Sequence, residues 1–172
     1  MPRITAFILA LCALLSAPAL VQAQQQTGTL SGPKFVEAAG ISDHFEIAAS
    51  RLALEKSENP QIKALAATLV ADHTRALADL KAAAKKADGQ IVVPSTLDDT
   101  HETRIERLKA ATGADFDTLF IQLQTSAHEA AVGIFASFAK QGDQTTLRDY
   151  AAQALPMLER HFEQIKQIQI KT

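Results

Sequence analysis

Five stretches of the chain repeat hydrophobic residues every three to four positions, which is the period of an α-helix. The spacing predicts helices over about residues 34–57, 60–87, 96–111, 116–140 and 144–169. Residues typical of helix caps and stops separate these stretches, namely Asn59-Pro60, Asp88-Gly89, Ser95, Gly113, Asp115 and Gly142-Asp143. The pattern therefore predicts an all-α protein.

The short connections predict how the helices pair. Only Glu58 and Asn59 separate the first two helices, so these two form an antiparallel hairpin, and the fourth and fifth helices form a second one. The third helix is shorter, and at ~1.5 Å per residue it covers about 24 Å, enough to carry the chain along most of a bundle. This layout predicts a ferritin-like four-helix bundle of two helical hairpins, with the shorter fifth helix in the crossover. A simple up-down bundle is the alternative.

Composition agrees with packed helices and narrows the function classes. Alanine is abundant, whereas aromatic residues make up 5% of the chain, with no Trp and seven Gly, which argues against a β-sandwich or barrel. The formal net charge is −2, so there is no basic footprint for nucleic acid and no basic face for anionic lipid.

The N-terminus has the pattern of a secretory signal peptide. Met1–Ala23 combines one basic residue, an apolar run and small residues before a cleavage point at Gln24. We therefore expect residues 1–23 to be a signal peptide, 24–32 a disordered arm and 33–170 the helical-bundle domain. The apolar run is too short to span a bilayer, and no later run approaches that length. The single Cys12 lies in the leader, so the mature chain has neither a disulfide nor a thiolate ligand.

Four potential metal ligands lie on or beside the apolar faces of the four long helices: Glu46, His73, His128 and His161. Counting from the hairpin turns at ~1.5 Å per residue puts Glu46, His73 and His128 about 19–22 Å away, close to mid-bundle. The same count puts His161 about 29 Å from its turn, roughly 9 Å too far for one ion unless Pro156 kinks the fifth helix.

Three interpretations of these side chains remain open. The histidines are satisfied by neighbours such as Asp72, Tyr150 and Gln124, or they bind a metal ion, or their protonation loosens the bundle as the pH falls. A di-iron centre is disfavoured because neither the second nor the fifth helix carries Glu-x-x-His. The cofactor is therefore either absent or a single zinc or copper ion.

Other chemistry is not indicated by the sequence. There is no Gly-rich phosphate loop, nucleophile elbow or His-Glu-x-x-His motif, and no spacing marks a catalytic triad. We therefore predict no catalytic residues and do not expect an enzyme.

A series of short motifs runs through the mature chain in a fixed order. They are Asp43-x-x-Glu46-Ile47, Leu52-Ala53-Leu54, Asn59-Pro60-x-Ile62-Lys63, Asp72-His73-Thr74, Gly113-x-x-Phe116-Asp117, Gln124 with His128, and Leu155-Pro156 with His161. Over residues 33 to 168 this series resembles the bacterial family catalogued as domain of unknown function 4142, sometimes labelled predicted outer-membrane proteins. Phe120 departs from the family pattern, in which Tyr is common.

The resemblance implies an exported, ferritin-like helical bundle and no particular activity. The outer-membrane label does not fit a chain without a lipid anchor, so we expect a periplasmic location. The predicted function is that of a periplasmic bundle binding a metal ion or small ligand in a His/Glu-lined core. The alternative is a structural or protein-interaction module, stress- or pH-related, whose histidines only pack. A homo-oligomer is compatible with either prediction, and neither a nucleic acid nor a membrane span is expected.

Overall fold

The computed structural model describes residues 30–168, which contain five α-helices and no strand. The helices are α1 (Gly32–Lys56), α2 (Pro60–Lys86), α3 (Asp99–Ala110), α4 (Gly113–Gln141) and α5 (Thr145–Lys166). The predicted signal peptide lies outside the described residues, as does most of the predicted arm. Among the described helices, none is both long and apolar enough to cross a membrane.

Side-chain caps explain two of the helix starts. The Asn59 carboxamide oxygen accepts from the Gln61 backbone N–H at 2.9 Å, and Pro60 takes the first helical position, where no N–H is needed. Asp98 caps α3 by accepting from the His101 N–H at 2.8 Å. The third helix therefore begins at Asp99, three residues later than the Ser95 signal predicts.

Like Ser95, the predicted caps Asp115 and Asp143 do not form. Helix α4 begins at Gly113, two residues before the predicted cap Asp115, which instead lies in the first turn, where a carboxylate favours the positive end of the helix. The Asp143 carboxylate accepts from the Gly32 backbone N–H at 2.8 Å, so it joins the start of α1 to the α4–α5 turn.

The four long helices form a bundle with one long crossover. Helix α1 packs against α2 and α4, and α5 packs against α2 and α4. An up-down bundle would instead place α2 beside α4 and α1 beside α5, so the up-down alternative is wrong. Phe35 near the start of α1 stacks on Phe138 near the end of α4, with ring centroids 4.0 Å apart, so these two helices are antiparallel. This is the ferritin-like arrangement that the connection lengths predict.

The crossover lies against α1. The His44 imidazole Nε2 is 3.0 Å from the Pro94 carbonyl oxygen. A Cβ at Gly40 would stand 2.9 Å from Val93 Cγ1, so only glycine allows the extended segment to approach α1 this closely. Further along, the Lys56 ammonium donates to the carbonyls of Leu108 and Lys109, which holds the end of α3 near the α1–α2 turn.

Two apolar clusters fill the ends of the bundle. The cluster at the α4–α5 turn includes Phe35, Leu80, Phe135, Phe138 and Leu147. The cluster at the α1–α2 turn includes Phe45, Ile62, Leu69, Phe116 and Phe120. Buried polar side chains of the four long helices lie between the two clusters, in what we call the polar layer: Asp43, Glu46, His73, Gln124, His128 and His161.

Candidate metal centre

Three histidines from three helices meet in the polar layer. His73 lies on α2, His128 on α4 and His161 on α5, and each residue is 1% exposed. Their ring centroids are 5.5 to 5.6 Å apart in all three pairs. Each helix brings its histidine inward because the residue occupies the same helical face as the leucines, phenylalanines and alanines of the apolar clusters.

Each ring has one nitrogen bonded to an acceptor on the outer side. His73 Nδ1 is 2.8 Å from Asp43 Oδ1, a carboxylate on α1. His161 Nε2 is 3.0 Å from Asp72 Oδ2, which lies on α2. His128 Nδ1 is 3.1 Å from the backbone carbonyl of Gln124, one turn earlier on α4. A carboxylate and a carbonyl only accept, so the bonded nitrogen of each neutral ring carries the proton.

The other nitrogen of each ring has no hydrogen-bond partner. These atoms are His73 Nε2, His128 Nε2 and His161 Nδ1, all fully buried. One ligand nitrogen from each histidine lies within 4.8 Å of those of the other two. When a ring is neutral, this bonding leaves a lone pair on its second nitrogen, so three neutral rings offer three buried acceptors without a donor. Such an arrangement fits a cation among the three rings.

Glu46 lies beside this cluster on its outer side. Its Oε1 is 3.8 Å from His128 Nδ1, the nitrogen that already donates to the Gln124 carbonyl. The buried Glu46 carboxylate has no hydrogen-bond partner for either oxygen, and it is not among the residues whose ligand atoms converge within 4.8 Å. The structure therefore places Glu46 next to a histidine but not inside the triad.

Burial dominates the protonation equilibria of the layer. Burial raises the pKa of Glu46 to about 7, against the opposing attraction of His73. Burial also raises the pKa of Asp43, again against its hydrogen bond to His73. For His128, burial and the neighbouring His73 and His161 lower the pKa to about 3. Burial likewise lowers the pKa of His161. These shifts keep His128 and His161 neutral, which is the form that binds metals.

His73 is the exception among the three rings. Burial lowers its pKa, but the hydrogen bond to Asp43 and the charges of Glu46, Asp43 and Asp72 outweigh burial, so the net shift is upward. His73 is thus the ring that holds a proton most readily when no other cation is present.

The structure brings His161 into the cluster, although counting from the turn places it about 9 Å too high. Measured from the helix ends instead, His161 lies about 24 Å beyond Thr145 and His128 about 20 Å before Gln141, at 1.5 Å per residue. Side chains lean towards the N-terminus of their own helix. In an antiparallel pair this lean brings the His161 ring closer to the turn and carries the His128 ring away from it. The two effects together account for the meeting of the rings.

The residues that the sequence suggests as hydrogen-bond partners of the histidines have different roles in the structure. Asp72 does bond a histidine, and Gln124 does so through its backbone rather than its carboxamide. The Tyr150 hydroxyl instead donates to the Ala76 carbonyl at 3.2 Å. Asp43 was missed as the His73 partner. Its signal was present, because Asp43 and Glu46 are three residues apart and therefore share one face of α1.

The two remaining histidines lie outside the triad. His44 bonds the crossover, and His101 bonds Asp98 at 2.7 Å near the start of α3. Neither the triad nor its surroundings contains the pair of Glu-x-x-His motifs that a ferritin-like di-iron site requires. The donor set of three neutral imidazoles suits one borderline transition-metal ion such as copper or zinc.

The fold is similar to that of a solved copper-bound protein. The structure described as "CopM in the Cu(II)-bound form" matches with a TM-score of 0.67 over 81% of this chain and 95% of that chain, at 20% sequence identity. At this identity the likeness concerns the fold. No curated protein sequence matches the chain. A family model covers residues 17–168, so the chain belongs to the family described as Domain of unknown function (DUF4142).

Proposed function

We propose that this protein binds a single copper or zinc ion through His73 Nε2, His128 Nε2 and His161 Nδ1. The observation that carries the proposal is twofold: one ligand nitrogen from each histidine lies within 4.8 Å of those of the other two, and each ring has a buried nitrogen without a hydrogen-bond partner. A buried acceptor without a donor costs on the order of 1–3 kcal/mol. Three such acceptors on neighbouring rings are costly together, and a bound cation would remove that cost.

The outer hydrogen bonds support the same proposal. Histidines that bind metals donate their other N–H to a carboxylate or a backbone carbonyl, which sets the tautomer and the ring orientation. Here Asp43, Asp72 and the Gln124 carbonyl take those positions. Histidines that served only packing would not need an outer hydrogen-bond acceptor of this kind on all three rings, which come from three helices.

Copper is the first ion to test. Three imidazoles accept both copper and zinc, but divalent copper binds a given set of nitrogen ligands more tightly than zinc. The Cu(II)-bound state of the similarly folded CopM supports this order. Zinc is the second ion to test, since it accepts three histidines with a fourth ligand from solvent.

We further propose that the protein acts in the periplasm after removal of residues 1–23. The basis is the leader pattern of Met1–Ala23 and the absence of cysteine from the remainder of the chain. Mass spectrometry of protein recovered from a periplasmic extract tests this directly. We expect a chain that begins at Gln24, and a full-length cytoplasmic product would contradict the proposal.

Metal stoichiometry tests the binding site. Protein purified without a histidine tag and stripped with EDTA is titrated with Cu(II) or Zn(II), and bound metal is measured by elemental mass spectrometry after gel filtration. We expect one ion per chain in the wild type and none in His73→Leu. The matched control is His101→Leu, which alters a histidine outside the triad and keeps the ion. Binding that is absent in the wild type, or lost equally in both variants, overturns the proposal.

A structural role is the second candidate, and one observation favours it. The His73–Asp43 bond joins α2 to α1, and the His161–Asp72 bond joins α5 to α2, so the triad links three helices even without an ion. If this is the whole role, His73→Leu lowers the unfolding free energy by the same amount with and without added metal.

A further inference from the structure

We propose that the ion enters and leaves the triad through the seam between α2 and α5, with His161 as the ligand that moves aside and Asp72 as the residue that holds it in place. This inference rests on the proposed metal binding. All three rings are buried, so an ion reaches them only if some part of the wall moves.

The three outer hydrogen bonds differ in their contact with solvent. The Asp72 side chain is 20% exposed, whereas that of Asp43 is 7% exposed and Gln124 is fully buried. Breaking the bond between His73 and Asp43 leaves a buried carboxylate without a partner, which carries the full desolvation cost. Breaking the bond between His161 and Asp72 leaves a carboxylate that water can reach. Of the two histidines held by carboxylates, His161 is therefore released at the lower cost. His128 bonds a fully buried residue of its own helix instead, away from solvent.

A charged residue extends this connection to the surface. Arg75 Nη1 is 3.8 Å from Asp72 Oδ1, while Asp72 Oδ2 bonds His161 at 3.0 Å. The Arg75 side chain is 73% exposed. Arg75, Asp72 and His161 therefore form a chain from solvent to the triad, and among the three ligands only His161 has such a connection in the described part of the protein.

Helix α5 is also the helix best able to release its ligand. Pro156 lies inside α5, five residues before His161, and has no N–H to give to the carbonyl of Ala152. The helix lacks one backbone hydrogen bond little more than a turn before the ligand. No other helix of residues 30–168 has a proline beyond its first two positions.

Histidine modification in the metal-free protein tests the direction of opening. EDTA-treated protein is exposed to diethyl pyrocarbonate, and the rate at each histidine is read by peptide mass spectrometry. We expect His161 to react faster than His128, which burial also keeps neutral, and Arg75→Ala to raise the His161 rate alone. Arg51→Ala, which removes an exposed arginine from α1, is the matched control and leaves the rate unchanged. Equal rates at His161 and His128 would overturn the proposal.

Exchange kinetics test the same route with Cu(II) as the probe. Because Asp72 controls opening, Asp72→Asn is expected to accelerate both loading and EDTA-driven release by about tenfold, as for a weakened hydrogen bond to a charged group. Asp43→Asn, which loosens a ligand that stays in place, accelerates release without accelerating loading. Pro156→Ala restores the missing helix bond and slows both steps.

These outcomes distinguish a failure of the proposed entry route from a failure of the proposed metal site. A wild-type protein that holds no stoichiometric copper or zinc contradicts the proposed function, whatever the modification rates are. A protein that holds one ion, but in which Asp43→Asn accelerates loading as much as Asp72→Asn does, keeps the site and contradicts the route.

Discussion

The Glu46 carboxylate is buried in the polar layer, where the residue is 1% exposed. Both carboxylate oxygens are buried without a hydrogen bond, with Asp43 on the same helix and His73 and His128 on the facing helices. The pKa of about 7 follows from this burial, because removing a carboxylate from water disfavours its charged form. The residue is thus neutral below neutral pH and becomes a buried anion above it.

Replacing Glu46 in the metal-free protein tests the free-energy cost of burying its charged carboxylate. Between pH 4.5 and about 7 the folded state holds a proton that the unfolded state has lost, so the unfolding free energy falls as the pH rises. Glu46→Gln removes this pH-dependent fall in the unfolding free energy. Between pH 4.5 and pH 8 the unfolding free energy of the variant, relative to that of wild type, is therefore expected to increase by on the order of 2–3 kcal/mol. Urea unfolding followed by circular dichroism measures it. Glu55→Gln, on the exposed side of α1, is the control, and a pH-independent difference would refute the expectation.

His128 predicts the opposite dependence. The pKa of His128 in the folded state is about 3, below the usual 6.5. Between these two pH values the unfolded chain binds a proton at His128 and the folded protein does not. The unfolding free energy therefore falls as the pH drops, by up to about 1.4 kcal/mol per pH unit. His128→Leu loses this contribution, whereas the opposing contributions of Glu46 and Asp43 remain. Metal-free wild type is expected to lose stability faster than the variant between pH 6 and 4, and parallel curves would contradict this.

At the scale of the elements, the crossover depends on how closely it approaches α1. Val93 and Pro94 lie where a side chain at position 40 would be, and His44 bonds the Pro94 carbonyl one turn further along. The segment from Gln90 to Pro94 has no regular structure of its own, so these contacts fix its path. The approach explains why glycine occupies a buried position inside α1, although it weakens a helix.

A pair of glycine substitutions tests this role. Gly40→Ala forces Val93 and Pro94 apart and is expected to destabilise the fold by about 1–2 kcal/mol, as overpacking does. Gly133→Ala in α4 meets nothing within 4 Å and is expected to stabilise it by up to about 1 kcal/mol, because alanine favours the helix. Thermal unfolding of both variants gives the comparison. If Gly133→Ala lowered the stability as much as Gly40→Ala does, helix propensity would not be what determines the effect at Gly133.

At the scale of the whole molecule, the crossover topology assembles the triad. It places α5 between α2 and α4, so that His73, His128 and His161 face one another, and it places α1 beside α2 with Asp43 behind His73. The apolar clusters at both ends hold the four helices at these positions. The polar layer is therefore held between two apolar clusters, with the three histidine rings 5.5 to 5.6 Å apart.

Metal binding is expected to stabilise the whole bundle. An ion that binds only the folded state adds about 2.7 kcal/mol at a hundred times its dissociation constant. For a domain of this size that corresponds to a rise in melting temperature of roughly 5–10 °C. Differential scanning calorimetry with Cu(II) or Zn(II) measures the rise, and EDTA should reverse it. A similar rise in His161→Leu would place the ion elsewhere.

The helices and their inward faces follow from the sequence alone. Periodicity and caps are local properties, so the helix at Pro60 and the inward placing of His73 could be predicted from neighbouring residues. The predicted hairpins and the ferritin-like class are also confirmed, because short turns leave two consecutive helices no other arrangement.

The meeting of the three histidines was decided only by the tertiary structure. Which helices become neighbours depends on how whole faces bury one another, and that selected the crossover over the up-down bundle. The axial offset between α4 and α5, together with the opposite lean of their side chains, brought His161 to His128. The same packing placed Asp43 against His73. A contact between residues thirty positions apart cannot be predicted from the local sequence pattern.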